Sequence, residues 1–213
     1  MSSVIQPEKL ASQLAEGLQS LDCKLDDDIQ AKLIQYLVLL DKWNKTYNLT
    51  AVRDIRKMIS QHILDSLSVN TYLQGERVLD VGTGAGLPGI PLALANPDKE
   101  FVLLDSAMKR TRFVTQAVGE LGLKNVRVQQ IRIEDYVPDG LFDTIISRAF
   151  TAMEDFVSAT EHLCAASGQL LAMKGRFPTQ EINSLPDQWQ ATSESLEVPD
   201  VNAERHIVIL TRK

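Results

Sequence analysis

Cysteine is nearly missing: the 213 residues hold only Cys23 and Cys164, so neither a disulfide framework nor a cysteine-based zinc knuckle can be built. Histidine is scarce as well, and His62, His162 and His206 are too dispersed to argue for a metal site. No uninterrupted apolar run approaches the ~20 residues of a membrane-spanning helix. The opening stretch MSSVIQPEKLASQLAEG lacks the basic start, apolar block and cleavage site of a secretory leader. A soluble, cytoplasmic protein with no membrane and no metal is therefore expected. Basic charge is in the minority, 22 Lys+Arg against 28 Asp+Glu for a net charge of -6, which argues against nucleic-acid binding driven by overall charge. Any RNA partner has to be met by local basic clusters. With 44% hydrophobic and 23% charged residues, the composition excludes collagen-like, low-complexity and mostly disordered chains. The length suits one domain, or one domain with an appendage, and is enough to bury a sizeable core.

Within that frame, Ile29, Leu33, Leu37, Leu40 and Trp43 recur at steps of three and four, with Lys32, Asp41, Lys42 and Lys45 on other faces. This predicts an amphipathic helix over residues 26–46. Weaker patterns before it (Leu10, Leu14, Leu18, Leu21) and after it (Ile59, Ile63, Leu67) predict a helical unit over residues 1–72, with Asn48 to Val52 as an internal linker. From residue 73 to 213 the texture changes. Short β-rich runs, VLDV, FVLLD, VRVQQI, FDTIIS, QLLAM and HIVIL, alternate with helix-length segments, the signature of a parallel sheet wrapped by helices. The first runs are apolar on both faces, as buried parallel strands must be. The last, His206 to Leu210, follows a stretch without a clear helix, which allows an antiparallel strand near the end.

The strongest motif is the strand-to-turn passage from Val78 to Gly89, VLDVGTGAGLPG, in which Gly82, Gly84 and Gly86 allow close backbone approach to a ligand. Asp105, 19 residues after Gly86 and at the end of the next strand, can take the two hydroxyls of an adenosine ribose. These features indicate an adenosine-containing cofactor. The run from Gly84 to Gly89 also matches the dinucleotide pattern G-x-G-x-x-G, but two details weigh against a pyrophosphate. The carboxylate of Asp80 would repel it while welcoming the cationic amino group of a methionine. Pro88, at the start of the helix, removes a backbone N–H that a phosphate would use. S-adenosylmethionine is the preferred cofactor. After the third strand, Arg132-Ile133-Glu134-Asp135 borders the adenine position in this architecture: Ile133 can pack on the ring and a nearby polar group can meet the exocyclic amine, while a solvated acidic loop is an equal alternative for Asp135 and a lesser one for Glu134.

Methyl transfer from a sulfonium is an in-line displacement, so the acceptor decides which side chains are needed. The fourth strand ends Ile145-Ile146-Ser147-Arg148-Ala149-Phe150, without the Pro-Pro-aromatic run expected for exocyclic amines or glutamine amides, and no Pro-Cys nucleophile is present. Acceptors that are already nucleophilic remain. Guanine N7, which carries no proton, is the obvious one.

Taken together, Lys42-Trp43-Asn44-Lys45, Tyr47-Asn48-Leu49-Thr50, His62-Ile63-Leu64-Asp65-Ser66, the glycine loop, Leu104-Asp105-Ser106, Ser147-Arg148-Ala149 and Met173-Lys174-Gly175 resemble the bacterial ribosomal RNA small-subunit methyltransferase G family, also called glucose-inhibited division protein B, across essentially the whole chain. The resemblance implies a class I methyltransferase fold: α/β, Rossmann-like, a mostly parallel seven-stranded sheet with an antiparallel last strand, and a helical N-terminal extension. It implies S-adenosylmethionine-dependent methylation of N7 of one guanine in the 530 loop of 16S ribosomal RNA, within the small ribosomal subunit or an assembly intermediate. For the cofactor it implies contacts from Gly82, Leu87, Ile133, Glu134 and Arg148, and Thr83 keeps the hydroxyl of the serine often found there.

No residue is assigned as a catalytic base; Asn48, His62, Arg132, Arg148 and Lys174 are candidates for positioning. His62, Asp65 and Ser66 share a helix face and either line a cleft or form a hydrogen-bond network. Asn48 and Thr50 are turn and cap residues by type, and only their place in the Asn-Leu-Thr motif suggests substrate contact. Arg132, Arg148, Lys174 and Arg205 border strand ends, the side on which open α/β sheets bind ligands, so Arg132, Lys174 and Arg205 are candidates for RNA phosphate. Lys42, Lys45, Arg53, Arg56 and Lys57 form a second basic stretch interrupted by Asp41 and Asp54. Two competing functions stay open on the residues alone: an NAD-dependent oxidoreductase, and a non-catalytic module that binds RNA or ribosomes.

Overall fold

The computed structural model describes residues 7–148, 150, 152–177, 181–182 and 185–213; the opening residues 1–6 and Ala149 of the fourth-strand motif lie outside them. Helix α1 (Pro7–Ser20) buries Leu10, Leu14 and Leu18. The 26–46 periodicity becomes helix α2 (Asp27–Tyr47), which opens on Asp27 and Asp28, acidic residues that suit the positive end of the helix dipole. It stops at Asn48, whose left-handed backbone (φ 51°) closes the last turn by donating its N–H to the Asn44 carbonyl.

A broken helix follows: α3 (Ile55–Met58), a π-helical turn (Ile59–Leu64) and α4 (Asp65–Leu67). The apolar spacing Ile59, Ile63, Leu67 is there, and all three side chains are buried. The π turn inserts into this helix a widened stretch that carries His62, a feature common near functional sites.

The remainder is the alternating α/β part. Strands β1 (Arg77–Val81), β2 (Glu100–Leu104), β3 (Val126–Gln129), β4 (Phe142–Ser147), β5 (Cys164–Lys174), β6 (Trp189–Ser195) and β7 (His206–Arg212) form one sheet in the order β3-β2-β1-β4-β5-β7-β6. The pairings from β3 to β5 are parallel, whereas β7 runs antiparallel to both of its neighbours. The antiparallel terminal strand is as expected. The edge strand β6 has no counterpart among the apolar runs of the sequence, because of its residues only Trp189 is buried.

Helices α5 (Gly89–Ala95) and α6 (Met108–Leu121) lie with α1 and α2 on one face of the sheet, in a single apolar core with Val78, Phe101, Leu103 and Ile146. Helix α7 (Met153–Thr160) covers the other face through Met153, Phe156 and Val157, against Leu79, Val102 and Ile145. Alternate residues of each central strand therefore feed opposite cores, which is why these strands read as continuous apolar runs. Among the described residues no helix is long and apolar enough to cross a membrane.

Candidate active site

The carboxyl ends of β1, β2 and β4 meet at one edge of the sheet, where Ser147 donates its hydroxyl to the Val81 carbonyl at 2.7 Å. The chain leaves β1 into the glycine loop, whose Gly82, Gly84 and Gly86 all have positive φ. Gly84 directs its N–H at Asp105 Oδ2 (3.0 Å), and Asp105 Oδ1 receives the Ala107 N–H (2.8 Å). Arg110 adds an ion pair at 3.3 Å. Asp105 is thus buried and held by three donors, with lone pairs left over for hydroxyl groups.

Asp80 lies beneath the loop with no exposed surface. Its Oδ2 accepts from the Thr83 hydroxyl (2.6 Å) and from the Gly89 N–H (2.9 Å), while Oδ1 has no partner. A side chain at Gly89 would collide with Leu103 and with Asp80 itself, so glycine is required for this close approach. Burial pushes the Asp80 carboxyl up to about 6, against the lowering effect of its hydrogen bonds. An unpartnered buried carboxylate oxygen is costly, and a cation placed against it would remove the cost.

Between these groups lies a cleft of about 250 Å³ bordered by Gly82, Asp105, Ser106, Arg132, Ile133 and Glu134, with Phe150 closing one side. Gly82, Asp105, Ile133 and Glu134 therefore line one cleft, and Arg132, a candidate for RNA phosphate, lines it with them. Gly84 joins them through its bond to Asp105. Leu87 is buried in the core behind the loop. Arg110, Ile131 and Phe150 are cleft residues that sequence reasoning missed; Arg110, on the first turn of α6, is the one whose proximity to Asp105 could have been read from spacing.

Arg148 and Arg205 come together on a single carboxylate: Arg148 Nη1 reaches Asp65 Oδ2 at 3.0 Å and Arg205 Nε reaches Asp65 Oδ1 at 2.8 Å. Lys174 is drawn elsewhere, its ammonium 2.8 Å from Glu181 and 3.2 Å from the Phe150 carbonyl, with a side chain only 10% exposed. Arg132 is exposed at the rim. The basic rim is accordingly split, with Arg132 at the cleft, the Asp65 pair beside it and Lys174 folded inward.

His62 is buried, with its Nδ1 facing the Gln61 carbonyl and its Nε2 facing the Thr50 hydroxyl, each at 2.9 Å. A carbonyl can only accept, so Nδ1 carries the proton and Nε2 takes the Thr50 hydrogen. Burial, helped by the Arg148 charge, lowers the imidazole to about 4. Ser66 donates to the His62 carbonyl, so of the two readings of this helix face the hydrogen-bond network is the one seen. Asn48 is exposed and accepts from Arg53 at 2.6 Å. In the second basic stretch Lys45 pairs with Asp41 and Arg56 with Asp54. Among the described residues no three His, Cys, Asp or Glu side chains gather in a way that could hold a metal ion.

A sheet order that ends β5-β7-β6, with β7 reversed, departs from the all-parallel 3-2-1-4-5-6 order of dinucleotide-binding folds. Known proteins agree. Residues 29–208 match the family described as rRNA small subunit methyltransferase G. The ribosomal RNA small subunit methyltransferase G of Nitrosococcus oceani is 56% identical over 198 residues, covering 92% of each chain, and that of Marinobacter nauticus is 51% identical over 201 residues, covering 94% of each. Among solved structures, the O-methyltransferase TomG of Streptomyces achromogenes in complex with S-adenosylmethionine superposes with a TM-score of 0.61 at 16% identity, over 99% of this chain and 100% of its own. The complex of DhpI with S-adenosylhomocysteine gives 0.57 at 16% identity, over 86% and 96%.

Proposed function

The chain belongs to the rRNA small subunit methyltransferase G family and is an S-adenosylmethionine-dependent methyltransferase, and from this premise we propose that its acceptor is N7 of a guanine in the 530 loop of 16S ribosomal RNA, modified in the cytoplasm within the small subunit or an assembly intermediate. The observation that carries the acceptor is the state of His62. It is the one histidine of the helical unit, it feels the charge of Arg148, and both of its nitrogens are engaged. Cys164 is buried at the start of β5, the end of that strand opposite the cleft. A site furnished in this way suits an acceptor that has no proton to lose.

S-adenosylmethionine supplies an electrophilic methyl group. In this reading Asp105 takes the ribose hydroxyls, Ile133 packs on the adenine, Glu134 meets its polar edge and Gly82 and Gly84 let the backbone come close. The unpartnered Oδ1 of Asp80 accommodates the cationic amino group, and Arg148 the carboxylate. These groups bind and orient, and orientation is what an in-line displacement requires. Arg132, Arg205 and the flanking basic residues meet RNA phosphate. Residues 73–213 carry the chemistry, and the helical segment 1–72 shapes one wall of the RNA approach.

Mapping N7-methylguanosine in 16S ribosomal RNA from cells with and without the protein tests the proposal. The mark should be lost from one guanine and restored by the wild-type chain. An unchanged map, or loss of a different modification, would remove the N7 assignment. Titration with S-adenosylhomocysteine and NAD should show binding of the first only.

A further inference from the structure

We propose that Asp65 is a positioning residue for RNA methylation, a single buried carboxylate that aims Arg205 toward RNA and Arg148 toward the cofactor cleft. This rests on the methyltransferase reading above and adds a residue that neither the motif logic nor the cleft lining assigns. The geometry is specific. Asp65 is 4% exposed, and each of its oxygens takes one guanidinium. The two arginines come from different strand ends, with β5 lying between their strands: Arg148 follows β4, and Arg205 immediately precedes β7.

Neither arginine is used up by these contacts. Arg148 offers Nη1 to Asp65, and Arg205 offers Nε to Asp65 and Nη1 to the Glu204 carbonyl, while a guanidinium has five N–H groups. Both side chains keep about a quarter of their surface exposed, 27% and 26%. Arg205 borders a second groove of about 750 Å³, along with Arg56, Lys57 and Gln61 and with the carboxylates of Asp54 and Asp200. The unit carries a net charge of +1 with its negative charge buried, and its remaining donors are free to point outward. Side-chain entropy that an anion would otherwise have to overcome is already spent.

Positioning and bulk electrostatics predict opposite signs. Asp65→Asn removes a negative charge from a chain of net charge -6, so a charge account predicts tighter RNA binding. Positioning predicts weaker binding, by roughly tenfold, and a salt slope reduced by about one, as for the loss of one phosphate contact. The measurement is RNA affinity against salt, with an unmodified 530-loop RNA fragment or small subunits, and S-adenosylhomocysteine affinity by calorimetry. The variants are Asp65→Asn, Arg205→Ala, Arg148→Ala and the two doubles that include Asp65→Asn.

Asp65→Asn/Arg205→Ala should fall within about twofold of Arg205→Ala in RNA affinity, and Asp65→Asn/Arg148→Ala within about twofold of Arg148→Ala in S-adenosylhomocysteine affinity, because each arginine's contribution is already lost without the carboxylate. Additive losses, or RNA binding that tightens in Asp65→Asn, would overturn the proposal. Should Asp65→Asn fail to fold, Arg205→Lys decides: it keeps the charge but loses the Nε–H that meets Asp65, so its RNA affinity should match Arg205→Ala, and wild-type affinity would sink the idea. If the wild-type chain binds neither S-adenosylhomocysteine nor RNA, the methyltransferase reading itself fails and the role of Asp65 falls with it. Wild-type binding of both, with Asp65→Asn indistinguishable, removes the Asp65 proposal alone.

Discussion

The hydroxyl of Tyr36, in the middle of α2, donates to the carbonyl of Ala85, inside the glycine loop, at 2.6 Å. Tyr36 is fully buried and its ring packs against Phe113 of α6. Burial raises the phenol well above its ordinary range, so it stays a donor at any working pH. The helical segment is therefore bonded to the loop that forms the cofactor site. With Asp80 below and Asp105 beside it, the loop is held from three directions.

Tyr36→Phe should lower stability by about 1–3 kcal/mol, because the Ala85 carbonyl loses its partner in a dry site. Cofactor affinity should fall with it, since the loop is less well held. Denaturant unfolding and calorimetry with S-adenosylhomocysteine check this; a variant as stable as wild type would mean the carbonyl finds water.

Asp105→Ala should weaken S-adenosylhomocysteine by ~1.5–3 kcal/mol, roughly ten- to a hundredfold, through loss of a charge-assisted acceptor. The same change frees the Gly84 and Ala107 N–H groups, so some loss of stability should accompany it. Gly84→Val should be worse: the position has φ +60°, which a β-branched residue resists, although no protein atom would obstruct its Cβ. Unchanged affinity in Asp105→Ala with an intact circular dichroism spectrum would refute the ribose role.

Much of this architecture is legible without coordinates. The stripe from Ile29 to Trp43 locates α2, and the apolar runs locate β1, β2, β4, β5 and β7, because buried strands and amphipathic helices impose their periods on sequence. Strand β6 is not legible, since an edge strand exposed on one side can be built from Gln190, Thr192, Ser193, Glu194 and Ser195. Within the site, the glycine loop and Asp105 are local patterns and can be read. Tyr36 lies in the apolar stripe of α2, and nothing in the stripe says that its hydroxyl meets a carbonyl 49 residues away. Arg148 and Arg205 can be recognised as basic residues at strand ends, but their shared carboxylate is 83 and 140 residues distant. Contacts of that span are properties of topology.

Asp80 should leave a pH signature. Its folded value of about 6 lies above the ~3.9 of an unfolded aspartate, so between these values the folded chain binds more protons and this group's contribution to stability declines as pH rises. The difference in unfolding free energy between wild type and Asp80→Asn should therefore move against the wild type from about pH 4 to 6. Saturating S-adenosylhomocysteine should reduce that slope, because an ammonium at Oδ1 favours the carboxylate. A slope indifferent to ligand would separate Asp80 from the amino group.

Arg132 and Lys174 should part company on replacement by alanine. Arg132 is exposed at the cleft rim, so Arg132→Ala should reduce the salt slope of RNA binding by about one. Lys174 is nearly buried against Glu181 and the Phe150 carbonyl, so Lys174→Ala should chiefly cost stability by leaving Glu181 without that charge. Equal slopes in both variants would mean that Lys174 swings out to meet RNA.

The rate of the chemical step should be nearly independent of pH where histidines ordinarily titrate. His62 is lowered to about 4 by burial and by the Arg148 charge, so it is neutral throughout pH 5.5–8.5 and has no lone pair to offer while Thr50 holds Nε2. An acceptor such as guanine N7 needs none. Single-turnover rates at saturating S-adenosylmethionine and RNA should then stay flat around pH 6.5. The stability of the chain should not: its folded imidazole titrates below the unfolded one, so this group's contribution is lost as pH falls from ~6.5 through about 4. His62→Gln should therefore slow methylation, if at all, by the same factor at every pH, and should diminish the acid-side loss of stability. A wild-type rate that climbs steeply through pH 6.5, and no longer does so in His62→Gln while both ligands still bind, would make the histidine a base and guanine N7 the wrong acceptor.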